Sequence, residues 1–585
     1  MSETEAALPS ETTRVTPFAF ARTLVTRWDL IALVIVIGVV AVLADASRGL
    51  LEPLAKLNAT PLSLDPSHLP EYAARTTLRM FAALALSLLF TFTYATWAAK
   101  SERAGKLLVP ALDILQSVPI LGFISVTVVF FMSLVPGRVL GVELAAIFAI
   151  FTSQAWNMAF SFYQSLRTVP QELQEVARLF HLSAWMRFWQ VEVPFALPAL
   201  IWNTMMSMSG GWFFVVASES IAVGHTQVAL PGIGSYIAAA IDQRNLHAIG
   251  WAILTMLIVI LAYDQLLFRP LVAWVDGLRF EQEPGGHRPR SWALTVMRRS
   301  RLLSALTHAF YAGVRWTSWA IPVRSTPPSR AIARGAASQR SGFVWGVAVA
   351  ALVAVALAYI ARMIVLGSSL NDVIEVVGLA LATMVRVFVL IALASLVWVP
   401  IGVWVGLRPR VMEFVQPIAQ FLAAFPANLL FPIVIFAIVN WSLNPDIWLS
   451  PLMILGTQWY ILFNVIAGAS AIPGELRYAA ANLGVGGWLW WRKVALPAVF
   501  PFYVTGAITA SGGSWNAAIV AELATWGDTR LEAHGLGAYI ADATAAGDFH
   551  RIVLGIATMS LFVVAINRFF WRRLYFYAER RFRLG

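Results

Sequence analysis

The feature that most constrains this chain is that it states one pattern twice. Residues 170–198 read PQELQEVARLFHLSAWMRFWQVEVPFALP, and residues 473–501 read PGELRYAAANLGVGGWLWWRKVALPAVFP, in a constant register of +303. Pro170 matches Pro473, Glu172 matches Glu475, Trp185 matches Trp488 and Pro194 matches Pro497. Each copy is a charged, loop-like segment set between long apolar stretches. A polar interruption that falls twice at the same point of a repeated apolar pattern marks a surface that something else touches, present in two copies. The match continues downstream through Trp212 and Trp515, Glu219 and Glu522, Gly232 and Gly535, Gly234 and Gly537, and Tyr236 and Tyr539. Upstream the register is +307, pairing Arg79 with Arg386 and Pro119 with Pro426, so the second copy is four residues shorter between the two blocks.

The chain has 585 residues, 59% hydrophobic and only 12% charged, against about 25% charged in soluble domains. Mean hydropathy is +0.72. These values imply an all-α polytopic membrane protein. Apolar runs near the roughly 20 residues that cross a bilayer as a helix lie near 30–46, 76–98, 108–134, 142–165, 198–221 and 247–268, then near 342–365, 376–406, 413–440, 448–470, 498–521 and 549–570. About twelve transmembrane helices follow, as two parallel six-helix repeats: an even number of spans returns the chain to its starting side, so the units share one orientation and enclose a pathway between them. The expected organisation is an N-terminal tail (1–29), a first unit (30–268), a basic linker (269–340), a second unit (341–570) and a basic tail (571–585). Lys and Arg concentrate in alternate loops and in the tail, which predicts that both termini and both repeated polar segments face the cytoplasm. The first 29 residues carry Glu3, Glu5 and Glu11 and lack the apolar core of a cleavable signal. The linker contains one apolar-basic stretch, 291–321, that reads either as an interfacial helix or as part of a solvated connection.

Several chemistries are excluded. The net charge of +11 belongs to membrane topology; no aromatic-interleaved basic platform for nucleic acid is present. With no cysteine, disulfides and thiolate metal sites cannot form. The histidines are dispersed, and no metal site is expected. No G-x-x-x-x-G-K-[ST] phosphate loop occurs, so the chain cannot hydrolyse ATP alone. No catalytic constellation is visible. Ser209-Gly210-Gly211 and Ser511-Gly512-Gly513 resemble an ATPase signature only superficially; inside apolar spans they read as helix-packing positions.

The repeated segment resembles the EAA loop of ABC importer permeases. In the first copy it reads Glu175-Val176-Ala177, then His181, then Val191-Glu192-Val193-Pro194; in the second, Tyr478-Ala479-Ala480, then Gly484, then Val494-Ala495-Leu496-Pro497. The stretch from Trp515 to Glu522 and the Gly535-Leu536-Gly537 run are similar to the nitrate, sulfonate and taurine branch. The resemblance implies a type I importer-like membrane subunit with both permease units fused in one chain. Its partners would be two cytoplasmic ABC ATPase subunits, an extracytoplasmic substrate-binding protein and membrane lipid, with no nucleic acid. The chain itself would bind no cofactor, ATP and Mg belonging to the partner subunits, and its place would be the bacterial inner membrane. The resemblance makes Glu172, Glu175, Ala177, His181, Ser183, Glu475, Tyr478, Ala480 and Gly484 the ATPase-coupling residues. The physical reading agrees: acids early in a short helix suit its positive end, and a glycine at the exit allows positive φ. Tyr478 at the acid position and His181 at the glycine position are departures, and histidine tolerates positive φ better than β-branched residues do.

The pathway must come from polar groups within the spans, which face the bundle interior. Candidates are Gln154, Asn157, Asn203, Ser207 and Glu219 in the first unit and Gln458, Asn464, Thr509, Asn516 and Glu522 in the second. Trp212 and Trp515 either line it or fill the core, and the core reading is favoured. Carboxylates repel anions, so Glu219 and Glu522 read as gate or packing elements. The resemblance implies a small anion or organic anion of the nitrate, bicarbonate, sulfonate or aromatic acid type. The competing class, an ion-coupled secondary transporter with parallel repeats, would need no large docking loops.

Overall fold

The computed structural model describes residues 62–117, 124–223, 226–275 and 358–582, with isolated positions elsewhere. Most of the expected spans at 30–46 and 342–365, and most of the N-terminal tail and linker, lie outside the described residues; the end of the second of these spans lies in the helix Ala358–Gly367. Among the described residues, six helices are long and apolar enough to cross a membrane: Pro66–Lys100, Val139–Arg167, Leu246–Val275, Leu370–Gly406, Gly487–Ala521 and Phe549–Phe582. Two further pairs of helices bring the count to eight if each bent pair is one span. The architecture is that of an all-α polytopic membrane protein, with one small antiparallel hairpin per unit.

Two expected spans are broken rather than straight. The run 413–440 is two helices, Pro409–Ala424 and Ala427–Asn440, at 76° to one another. The cause is Pro426. A residue before proline is pushed out of the helical region, and Phe425 accordingly has φ −71° and ψ 127°. In the first-unit run 108–134 the helices Glu102–Ser117 and Ile124–Leu134 are described, and most of the residues between them lie outside the described ones. The run 448–470 bends by 46° between Pro445–Leu455 and Gln458–Ser470, whereas its counterpart Val139–Arg167 is one unbroken helix. The second unit has Pro445, Pro451 and Gly456 in this stretch and the first-unit helix has no proline; proline lacks the N–H that continues the helical ladder.

Two π-helical turns are duplicated at the repeat spacing: Phe188–Glu192 with Trp491–Ala495, and Asp264–Phe268 with Asn567–Trp571. Pro194 and Pro497 stand two residues past the first pair. Each would crowd the carbonyl four residues back, and the wider turn takes up that misfit without ending the helix.

At the end of each unit opposite the repeated polar segment, the chain leaves a long helix, forms a hairpin and enters a short helix. The strands are Ser220–Val223 with Thr226–Ala229, and Leu523–Trp526 with Thr529–Glu532. The short helices are Ile233–Asp242 and Leu536–Ala546. Each hairpin packs against the short helix of the other unit, so the two units are closed together at this end.

Candidate functional site

The repeated polar segments form short helices, Gln171–Leu179 and Gly474–Asn482, each entered from a proline in extended conformation. Both leave through a Schellman turn. The N–H of Leu182 reaches the Ala177 carbonyl at 3.0 Å and that of Val485 reaches the Ala480 carbonyl at 2.9 Å. The residue before each must be left-handed: His181 has φ 51° and Gly484 φ 66°. Glu172 and Glu475 lie in the first turns and are exposed, as are Glu175 and Tyr478. Ala177 and Ala480 are buried against the membrane unit. Ser183 caps the next helix, its Oγ accepting from the Met186 N–H at 3.2 Å. Beside these acids large apolar side chains also stand out: Leu179 and Phe180 in the first copy, and Tyr478 with Leu483 and Trp488 just past the helix in the second, are each about three-quarters exposed.

Glu219 and Glu522 are buried. Each is the apex of a buried ion cluster at the hairpin end. Arg79 forms a two-pronged pair with Glu143 (2.7 Å on both prongs), meets Glu219 at 2.7 Å, and donates to the Pro231 carbonyl at 3.0 Å. In the second unit Arg386 joins Glu522 at 3.0 Å and Asp446 at 2.7 Å. Each apical carboxylate also accepts a backbone N–H at the start of the short helix, Gly234 to Glu219 and Gly537 to Glu522, both at 2.7 Å, where the helix dipole favours an anion. Thr76 and Thr383 accept from the neighbouring N–H groups of Ile233 and Leu536. The approach is so close that a Cβ at Gly234 would lie 2.2 Å from the Val216 carbonyl oxygen, and one at Gly537 would lie 2.3 Å from that of Ala518. Gly234→Ala should therefore cost several kcal/mol, about the 1–3 of a strained contact plus the loss of the carboxylate hydrogen bond; a thermal melt of purified protein within about 1 °C of the parent would contradict this. Glu143 and Asp446 escaped notice in the sequence, although they stand at the same +303 spacing, because the two acids differ in type.

A cavity of about 260 Å³ lies between the units at mid-span. Of the pathway candidates, Asn157, Ser207, Thr509, Trp515 and Asn516 line it. Gln154, Asn203, Trp212, Glu219, Gln458, Asn464 and Glu522 do not, and most of these satisfy neighbouring helices. Asn203 donates to the Ser161 hydroxyl (2.9 Å), the Gln458 side-chain oxygen accepts from the Trp398 indole (2.9 Å), and Asn464 donates to the Tyr460 carbonyl (2.8 Å). Gln154 is buried beside Met80 and Ser87, and Trp212 is wholly buried in the core. Sequence reasoning missed Thr152, Ser153, Gln116, Thr457, Asn567 and Trp571, all on the wall. The packing assigned to the two Ser-Gly-Gly runs applies to Gly211 and Gly513, where a Cβ would lie 2.6 Å from Met80 and 2.4 Å from Thr457. A Cβ at Gly512 would meet nothing within 4 Å, so there the missing side chain is part of what opens the cavity. Hydroxyls, amides and aromatic rings make up the polar wall, and among the described residues no charged side chain lines it.

Comparison with known proteins agrees with the duplicated architecture. The model of the binding-protein-dependent transport system inner membrane component family matches twice, at residues 79–269 and 398–584. The bicarbonate transport system permease protein CmpB of Synechococcus elongatus is 28% identical over 189 residues, 32% of this chain and 65% of that protein. The nitrate import permease protein NrtB of Leptolyngbya laminosa is 28% identical over 186 residues, 32% of this chain and 63% of that protein. The glycine betaine/proline betaine transport system permease protein ProW of Escherichia coli is 28% identical over 156 residues, 26% of this chain and 42% of that protein. The chain thus spans a little under two thirds of the length of the bicarbonate and nitrate relatives. The two family matches together cover more than half of the sequence, and the chain belongs to the binding-protein-dependent transport system inner membrane components, with two permease units in tandem.

Proposed function

We propose that this chain supplies both membrane-spanning units of an ATP-driven importer for a small anion or organic anion. The observation that carries this is the pair of equivalent short helices, Gln171–Leu179 and Gly474–Asn482, each with large exposed apolar side chains on or just past it, at the same end of its unit. Large apolar side chains held three-quarters exposed on or beside a short helix suit a protein groove. Two cytoplasmic ATPase subunits would dock there, holding ATP and Mg, and their approach would rock the units about the mid-span cavity. Both termini and both docking helices would be cytoplasmic, and a binding protein would deliver solute at the hairpin end. Relatives named for nitrate and bicarbonate support the anion class.

One chain supplies both units, so the purified assembly should hold one copy of it with two ATPase subunits. Native mass measurement tests this; two copies of the chain would overturn it.

The docking helices differ at one exposed position. Glu175 can make a charge-assisted contact worth about 1.5–3 kcal/mol to a basic groove residue, and Tyr478 cannot. Glu175→Ala should weaken ATPase recruitment or coupling by about tenfold or more, and more than Tyr478→Ala does. ATPase co-purification and solute uptake at matched expression measure it; an equal or larger loss from Tyr478→Ala would show that aromatic packing, not charge, carries the contact.

A further inference from the structure

The two units are copies, yet the cavity is not shared equally between them. Val563, Ile566, Asn567 and Trp571 of the last helix line the 260 Å³ cavity. Their first-unit counterparts at the +303 spacing, Ile260, Tyr263, Asp264 and Phe268, line a second space of only about 20 Å³. These are the same place in the two repeats, one open and one filled. Tyr263 and Phe268 fill the first-unit side, their rings 4.8 Å apart, with the Tyr263 hydroxyl against Met208. On the second-unit side Thr509 replaces Met206 and Gly512 replaces Ser209, and the bend before Gln458 brings Gly456 and Thr457 to the wall.

The polar wall of the open side is neutral: Thr509, Asn516 and Asn567 of the second unit and Ser153 and Asn157 of the first line it.

We propose that solute is held at one site off the pseudo-twofold axis, on the second-unit side, its oxyanion group meeting the neutral hydroxyl and amides of Thr509, Asn516 and Asn567. This rests on the importer reading. The space is several times the volume of a four-atom oxyanion, if a water's share is about 30 Å³, and Phe213, Phe214, Trp156 and Trp515 supply apolar wall. The class that fits is an organic carboxylate or sulfonate with a flat apolar body, held by neutral donors.

Thiol accessibility tests the asymmetry without knowledge of the natural solute, because the chain has no cysteine. In the assembled complex during ATP turnover, Val563→Cys should react with a small methanethiosulfonate at least about tenfold faster than its counterpart Ile260→Cys; equal rates overturn the off-axis site. Benzenesulfonate should slow labelling of Val563→Cys and nitrate should not. Protection by nitrate alone, or by neither, overturns the solute class. Adding Asn567→Leu should raise the benzenesulfonate concentration for half-protection about tenfold, the worth of one hydrogen bond, while Phe268→Leu should leave it within twofold; equal shifts overturn the assignment of the polar wall. ATP hydrolysis by the same complex is read separately. A complex that recruits no ATPase refutes the importer reading, whereas a hydrolysing complex with symmetric labelling refutes only the off-axis site.

Discussion

Arg79→Met should destabilise the protein by about 3–5 kcal/mol, the cost of leaving a buried charge without its partner. Arg79 is 3% exposed and Glu219 is fully buried, with Glu143 hardly less so. Removing the guanidinium strands two carboxylates and frees the Pro231 carbonyl, and the first hairpin loses its tie to the helix Pro66–Lys100. The matching change in the second unit should cost clearly less. Asp446 keeps over a third of its side chain in solvent and also accepts the His534 N–H at 2.7 Å, so it remains solvated without Arg386. Thermal inactivation of the two variants in detergent makes the comparison. Adding Glu143→Gln and Glu219→Gln to Arg79→Met should recover part of the loss, because neutral amides are cheaper to bury than carboxylates. Equal stability of Arg79→Met and the parent would mean that the cluster contributes position but no free energy.

How much of this was legible in the sequence depends on the kind of information each feature carries. The duplication, the membrane class and the two short helices are written locally: proline at the start, acid in the first turn, alanine inward, and a left-handed exit that His181 adopts as Gly484 does. The broken spans were hidden because hydropathy averages over a window, while a single Phe425-Pro426 step turns the chain. The ion clusters were half visible. Arg79 and Arg386, and Glu219 and Glu522, stood out as repeats of each other, but nothing local says that residues 140 apart are partners. The cavity was least legible. A polar residue in an apolar span declares that it needs a partner, not whether that partner is a helix or a solute. Asn203 and Gln458 found helices, and the open space owes as much to the absent side chain of Gly512 as to any polar group present.

Joining Arg244→Cys to Asp528→Cys with a short bis-methanethiosulfonate, which links the two thiols through disulfides, should abolish transport, and reduction should restore it. The second hairpin reaches across to the first unit at one point. Its Gly527 N–H donates to the Ile241 carbonyl at 3.1 Å, and Asp528 pairs with Arg244 at 3.1 Å. The fit is close, since a Cβ at Gly527 would stand 2.2 Å from the Arg244 Nε. Arg244 itself is left-handed, φ 53°, a conformation that costs a residue with a side chain about 1–2 kcal/mol. The contact has no counterpart by residue type, because the position equivalent to Arg244 is Gly547. The ion pair is well exposed, so by itself it contributes less than about 1 kcal/mol. Weak, specific and located where the units close together, it has the properties of a latch that, on the importer reading proposed above, would open when solute enters from the hairpin end. The two cysteine variants should each transport normally before cross-linking, since losing an exposed pair is nearly free. The cysteine-free background removes competing thiols, and uptake into proteoliposomes before reagent, after reagent and after reduction gives the three readings needed. Full uptake by the cross-linked protein would show that the units stay together at this end throughout the cycle and that solute enters by another route.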